Sequence, residues 1–235
     1  MLIGGLQKLT LLDYPEHIAA IVFTQGCNFR CHYCYNPKLV VPEIFSAQKN
    51  SPAYALESFF DFLDARRGKL DAVVITGGEP TLHHDLPQFI QKIKAKGFLV
   101  KLDTNGTNPA MLKKLLDKKL LDYIAMDIKA PLKSYAAVVG VAAPLEKLQK
   151  SIILIKKSGI PYEFRSTLLP SLHGRAAVAK MGQSIRGAEK WYLQKFKSNT
   201  ALVNDTFKGK SAYTDKEMEE LRLMGSRYVK QCFVR

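Results

Sequence analysis

Short apolar runs alternate along this chain with segments whose apolar residues recur every three or four positions. Ala72-Val73-Val74-Ile75-Thr76 is rich in β-branched residues and is ended by Gly77-Gly78. Such a run reads as a buried strand. The segment after it carries Leu86, Phe89, Ile90 and Ile93, the stripe of an amphipathic helix over 85–96 closed by Gly97. The same alternation predicts strands at 18–24, 98–103, 123–127, 161–167 and 190–196, the last with Trp191 and Leu193 on one side. It predicts helices at 54–67, beyond a connection marked by Pro42 and Pro52, and at 109–119, 145–157 and 176–186. A terminal helix is expected at 215–230, with Thr214 as its N-cap. Six strand–helix repeats imply right-handed βαβ units and a parallel sheet, either open or closed into an incomplete barrel.

Composition narrows the class without changing that picture. The 235 residues suffice for a full core, and 47% are hydrophobic, which excludes a disordered chain. We expect a single domain over 1–235, with a core of about 15–195 and a C-terminal extension over 196–235. No apolar run reaches the roughly 18 residues of a membrane span, and the first ten residues lack a signal-peptide pattern. A cytoplasmic protein without membrane contact is the expectation. The 35 basic and 21 acidic residues leave a net charge of +14. Lys113-Lys114, Lys118-Lys119 and Lys156-Lys157 fall at helical spacing and read as solvated faces, and no nucleic-acid module is evident, so nucleic acid is not the expected partner.

Three of the four cysteines, Cys27, Cys31 and Cys34, lie within eight residues directly after the first predicted strand. An iron–sulfur cluster is the leading reading. A structural zinc, with His32 as a strained fourth ligand, and a Cys31–Cys34 dithiol remain alternatives. Cys232 reads as a lone thiol. Gly77-Gly78-Glu79-Pro80, Asp103-Thr104-Asn105-Gly106, Asp127-Ile128-Lys129 and Arg165 all fall at or near the C-terminal ends of predicted strands. In parallel α/β architectures ligands bind at that edge, so these groups and the cysteine loop read as one site. His83 and His84 beside the helix start at Asp85 read as structural, and His17 and His173 carry no supporting context.

The spacing Cys27-x3-Cys31-x2-Cys34, with an aromatic residue before the last cysteine, resembles the cluster loop of the radical S-adenosylmethionine superfamily, as does Gly77-Gly78-Glu79-Pro80. The resemblance covers about residues 10–195. Leu12-Asp13-Tyr14-Pro15, Phe23 to Cys31, Asn36-Pro37, Asp103 to Gly106 and Asp127 to Lys129 are most similar to the activating enzymes of glycyl radical enzymes, in particular activators of anaerobic ribonucleoside-triphosphate reductase. Relatives often carry His at Tyr35, and Gly where Glu16 follows Asp-Tyr-Pro.

The resemblance implies an α/β fold, a partial (βα)6 barrel of parallel strands with a C-terminal helical extension. It implies that Cys27, Cys31 and Cys34 hold a [4Fe–4S] cluster with one open iron, where S-adenosylmethionine is reductively cleaved and a glycyl radical is installed on a partner enzyme. Gly77, Gly78 and Glu79 would receive the methionine end of the cosubstrate, and Tyr33 would pack near its adenine. Asp103, Thr104 and Asp127 would surround a monovalent cation, while Lys129, Arg165 and Gln194 would contact the cosubstrate. A flavodoxin- or ferredoxin-type donor would supply the electron. The competing functions are a small-molecule enzyme similar to 7-carboxy-7-deazaguanine synthase and a non-catalytic iron–sulfur or RNA-binding protein.

Overall fold

The computed structural model describes residues 1–41 and 55–235. Pro42, Pro52 and the expected helix start at Tyr54 lie outside the described residues. In chain order the strands and helices are β1 (Ile3–Thr10), β2 (Ala19–Thr24), α1 (Pro37–Val40), α2 (Leu56–Asp64), β3 (Ala72–Gly77), α3 (Leu86–Ala95), β4 (Leu99–Thr104), α4 (Pro109–Asp117) and β5 (Tyr123–Asp127). They continue with α5 (Tyr135–Val139), α6 (Leu145–Lys156), β6 (Tyr162–Leu168), α7 (Arg175–Ser184), β7 (Lys190–Lys195), α8 (Asp215–Gly225) and β8 (Gln231–Val234). All six predicted strands are present. No helix among the described residues is long and apolar enough to cross a membrane.

Two compact units are formed. The first comprises residues 1–28, 38–104 and 108–124. In it β1 runs antiparallel to β2, and β2, β3 and β4 are parallel neighbours with Ala19 opposite Ala72 and Ala72 opposite Leu99. The first four residues of β2 and of β3 are buried, as a parallel strand covered on both faces requires. Tyr14, Ala19, Ile21, Ala72, Val74 and Tyr123 form one core cluster, with Phe23 and Leu99 against it. Phe59 and Leu63 of α2, and Leu86, Phe89, Ile90 and Ile93 of α3, supply the buried helix faces.

The second unit comprises residues 29–37, 105–107 and 125–235. Here β6, β7 and β8 are parallel, with Phe164 opposite Trp191 and Trp191 opposite Cys232. Helices α6, α7 and α8 bury Leu148, Ile152 and Ile155, then Val178 and Met181, then Met218 and Leu221. Thr214 caps α8 in a reciprocal capping box with Glu217, as its position predicts.

Two strands and a helix end differ from expectation. β1, with the sequence IGGLQKLT, has adjacent glycines and an irregular burial pattern, so it shows no alternation to read. β8 is only four residues long and three of them are exposed. Helix α8 ends at Gly225 rather than continuing to 230, because the chain turns there to reach β8. A Cβ at Gly225 would lie 2.7 Å from Cys232 Sγ, so the turn needs glycine.

Candidate active site

The site residues expected from sequence fall in both units. In the first unit, β3 ends at Gly77, which has φ +117, a conformation that side chains resist. A Cβ on Gly77 would lie 2.5 Å from the Thr24 carbonyl oxygen, and one on Gly78 would lie 1.9 Å from that of Gly26. The Gly78 N–H donates to Thr24 O and the Glu79 N–H to Gly26 O, both at 2.8 Å. Both glycines therefore let this turn close on the backbone that leads into Cys27. The Gly26 N–H, in turn, donates to Leu39 O at 2.7 Å.

Glu79 is buried. Its Oε1 accepts from Thr81 N at 3.1 Å, from Thr81 Oγ1 at 2.5 Å and from Thr104 Oγ1 at 2.7 Å. It is the N-cap of a short 3₁₀ turn over Pro80–Leu82, and it ties the end of β3 to the end of β4. Asp103 and Thr104 close β4 and are buried. The Asp103 carboxylate lies 3.1 Å from Lys101 Nζ, which also donates to Asp13 O at 2.5 Å. Lys101 is fully buried, 5.7 Å from the Tyr123 ring centre. Its role was not anticipated, although Lys101 and Asp103 alternate on one strand and so face the same side.

In the second unit, the Cys31–Cys34 stretch is held from several sides. Cys34 N–H donates to Cys31 O at 3.0 Å, and Arg30 N–H to Val139 O at 2.8 Å. Val203 N–H donates to Cys34 O and Asn204 N–H to His32 O, each at 3.1 Å. The His32 ring stacks on Phe207, and Tyr35 stacks on Phe196 while its hydroxyl accepts from Lys197 N–H at 2.8 Å. The C-terminal extension thus braces this stretch, a role the sequence does not announce. His32 is committed to these contacts.

Asp127 ends β5, and Lys129 follows two residues later, past the strand end rather than within it. Lys129 Nζ lies 3.2 Å from Asp127 Oδ2, and Arg165 Nε lies 3.0 Å from Asp127 Oδ1. Arg165 and Asp127, 38 residues apart in the chain, thus form an ion pair that no local pattern announces. Burial would raise the Asp127 carboxyl, but Lys129 and Arg165 hold it at about 2. Burial would likewise pull a proton from Lys129, yet Asp127 and Cys31 keep it charged well above its usual range.

Tyr33 is buried, with its hydroxyl 3.4 Å from Lys129 O and its ring edge-on to His173 at 5.8 Å. The His173 ring, also fully buried, reaches Lys129 O at 2.8 Å and Leu169 N at 3.1 Å. Burial lowers its pKa. Gln194 is partly exposed in β7, opposite Thr167. Asn105 accepts from Thr107 N–H at 3.0 Å and from the Thr107 hydroxyl at 2.7 Å, so this part of Asp103-Thr104-Asn105-Gly106 is a local turn.

The donor set fits an iron–sulfur cluster. Burial pushes the Cys31 thiol up to about 11 and raises Cys34 as well, with Lys129 opposing both shifts. Protons leave such thiols when a metal takes their place. A cubane places each cysteine on a different iron, so three cysteines spread along a loop are suitable ligands. Cys232, by contrast, is buried against Trp191 and Gly225, and its thiol is pushed up to about 12.

Comparison with known proteins agrees with this chemistry. A protein of Methanocaldococcus jannaschii, provisionally named a glycyl-radical enzyme activating enzyme, is 31% identical over 100% of this chain and 95% of its own length. The 7-carboxy-7-deazaguanine synthase of Aquifex aeolicus is 37% identical over 35% of this chain and 34% of its own length. Among solved structures, Streptococcus suis SuiB matches with a TM-score of 0.64 at 14% identity, over 92% of this chain and 48% of that one. That likeness concerns the fold, an α/β arrangement of parallel strands and helices in keeping with the expected partial barrel. The profile of the Radical SAM superfamily matches residues 21–175, so this chain belongs to the radical S-adenosylmethionine superfamily, whose cofactors are a [4Fe–4S] cluster and S-adenosylmethionine.

Proposed function

We propose that this chain is an activase that installs a glycyl radical on a partner enzyme, with anaerobic ribonucleotide reductase as the partner. The observation that carries this reading is the end-to-end likeness to a relative named for glycyl-radical enzyme activation. The deazaguanine synthase matches only about a third of the chain, which supports the small-molecule reading less well.

In this reading Cys27, Cys31 and Cys34 hold the cluster. Gly77, Gly78, Glu79, Asp103, Thr104, Asp127, Lys129, Arg165, Tyr33 and Gln194 serve the cosubstrate and a monovalent cation. When bound, the cluster and S-adenosylmethionine supply the one-electron cleavage chemistry of the family. Lys129 and Arg165 share the single Asp127 carboxylate, so the three carry one net positive charge. That charge suits the cosubstrate carboxylate. Glu79 and Thr104 are joined by a hydrogen bond that fixes both side chains. A flavodoxin- or ferredoxin-type protein is the proposed electron donor.

The test is anaerobic. Reconstituted protein with dithionite and S-adenosylmethionine is expected to yield 5′-deoxyadenosine, and adding the reductase is expected to produce a glycyl-radical EPR doublet. Conversion of a pterin substrate, with no doublet on the reductase, would favour the small-molecule reading. Absence of 5′-deoxyadenosine from protein with an intact cluster would rule out both.

A further inference from the structure

His173 lies 44 residues from Lys129 in the chain, yet its imidazole meets the Lys129 carbonyl at 2.8 Å. A carbonyl only accepts, so Nε2 must carry the proton. The other ring nitrogen accepts from the Leu169 N–H at 3.1 Å and so carries none. These two bonds fix one neutral tautomer. The imidazole is itself anchored, because the Tyr213 hydroxyl donates to the His173 carbonyl at 2.8 Å and the ring stands edge-on to Tyr33.

The Lys129 backbone is held on its other side as well. Its N–H donates to the Tyr135 hydroxyl at 3.3 Å, and the Tyr33 hydroxyl donates to its carbonyl at 3.4 Å. Of the two bonds given to that carbonyl, the one from His173 is shorter by 0.6 Å (3.4 against 2.8). Ile128, one residue earlier, still donates its N–H to Arg165 O of the neighbouring strand at 2.8 Å, whereas the Lys129 backbone is held by these side-chain bonds.

We propose that His173 is a positioning residue that fixes the Lys129 backbone, and with it the Tyr33 ring, for binding of the S-adenosylmethionine carboxylate. This rests on the proposed role of Lys129, and the experiment separates the two. Affinity is read from the change in the EPR spectrum of the reduced cluster as S-adenosylmethionine is added to the reconstituted protein, with iron content and melting temperature measured alongside. His173→Gln keeps a donor that reaches Lys129 O. His173→Asn can serve the Leu169 N–H but falls short of Lys129. His173→Asn is expected to weaken affinity about fivefold, the loss of roughly one hydrogen bond, while His173→Gln stays within about twofold of the parent. Iron content should be unchanged in both.

Equal affinities for the two variants, or an Asn variant that binds better than the Gln variant, would overturn the role of His173. Lys129→Ala is the control for the underlying reading. If it binds S-adenosylmethionine as the parent does, the assignment of Lys129 fails; if it binds weakly while both His173 variants bind normally, only the present inference fails.

Discussion

Lys101 is fully buried beside the Tyr123 ring, and its ammonium is met there by Asp103 and the Asp13 carbonyl. Breaking a buried ion pair by removing one member is strongly destabilising. Lys101→Met should therefore destabilise the fold by about 3 kcal/mol in urea unfolding, and a change under about 0.5 kcal/mol would show that Asp103 finds other support. Glu16 presents the opposite case. It has φ 66, the left-handed conformation that favours glycine. Glu16→Gly should raise stability by up to about 1 kcal/mol, since a left-handed residue with a Cβ costs about that much. An unchanged melting temperature would mean that the strain is relieved in another way.

Among the glycines of the described residues, Gly78 in the turn after β3 has the closest approach to other atoms. Gly78 stands where a Cβ would collide with the Gly26 carbonyl, and that obstacle is backbone, which cannot swing aside. Gly78→Ala should lower stability by about 1–3 kcal/mol and reduce the iron held per chain, because Gly26 immediately precedes Cys27. Wild-type iron content in a destabilised Gly78→Ala protein would confine the glycine to folding. The family resemblance reads the paired glycines as room for a ligand; the geometry adds that they give room to the chain itself.

On the scale of the whole molecule, the candidate residues are divided between two compact units. Cys27, Gly77, Gly78, Glu79, Asp103 and Thr104 belong to the first, and Cys31, Cys34, Tyr33, Asp127, Lys129, Arg165 and Gln194 to the second. Replacing Cys27, Cys31 or Cys34 by Ala should each lower the iron bound after reconstitution, whereas Cys232→Ala should leave it unchanged. Cys232 is buried between Trp191 and Gly225, so loss of iron in that variant would contradict its assignment as a packing residue.

Sequence alone determined the alternation of strands and helices, because short apolar runs and stripes of period 3.6 are local patterns; the cysteine spacing that points to a cluster is local too. The Asp103, Asp127 and Gly77 positions at strand ends were legible for the same reason. Strands β1 and β8 were not, since edge pairing leaves little apolar pattern to read. The partners of these buried polar groups were decided only by tertiary structure. Arg165 finds Asp127, Lys101 finds Asp13, and His173 finds Lys129 across 38, 88 and 44 residues. The burial that makes a partner necessary arises only once distant strands and loops pack, and no local pattern encodes which group will be there.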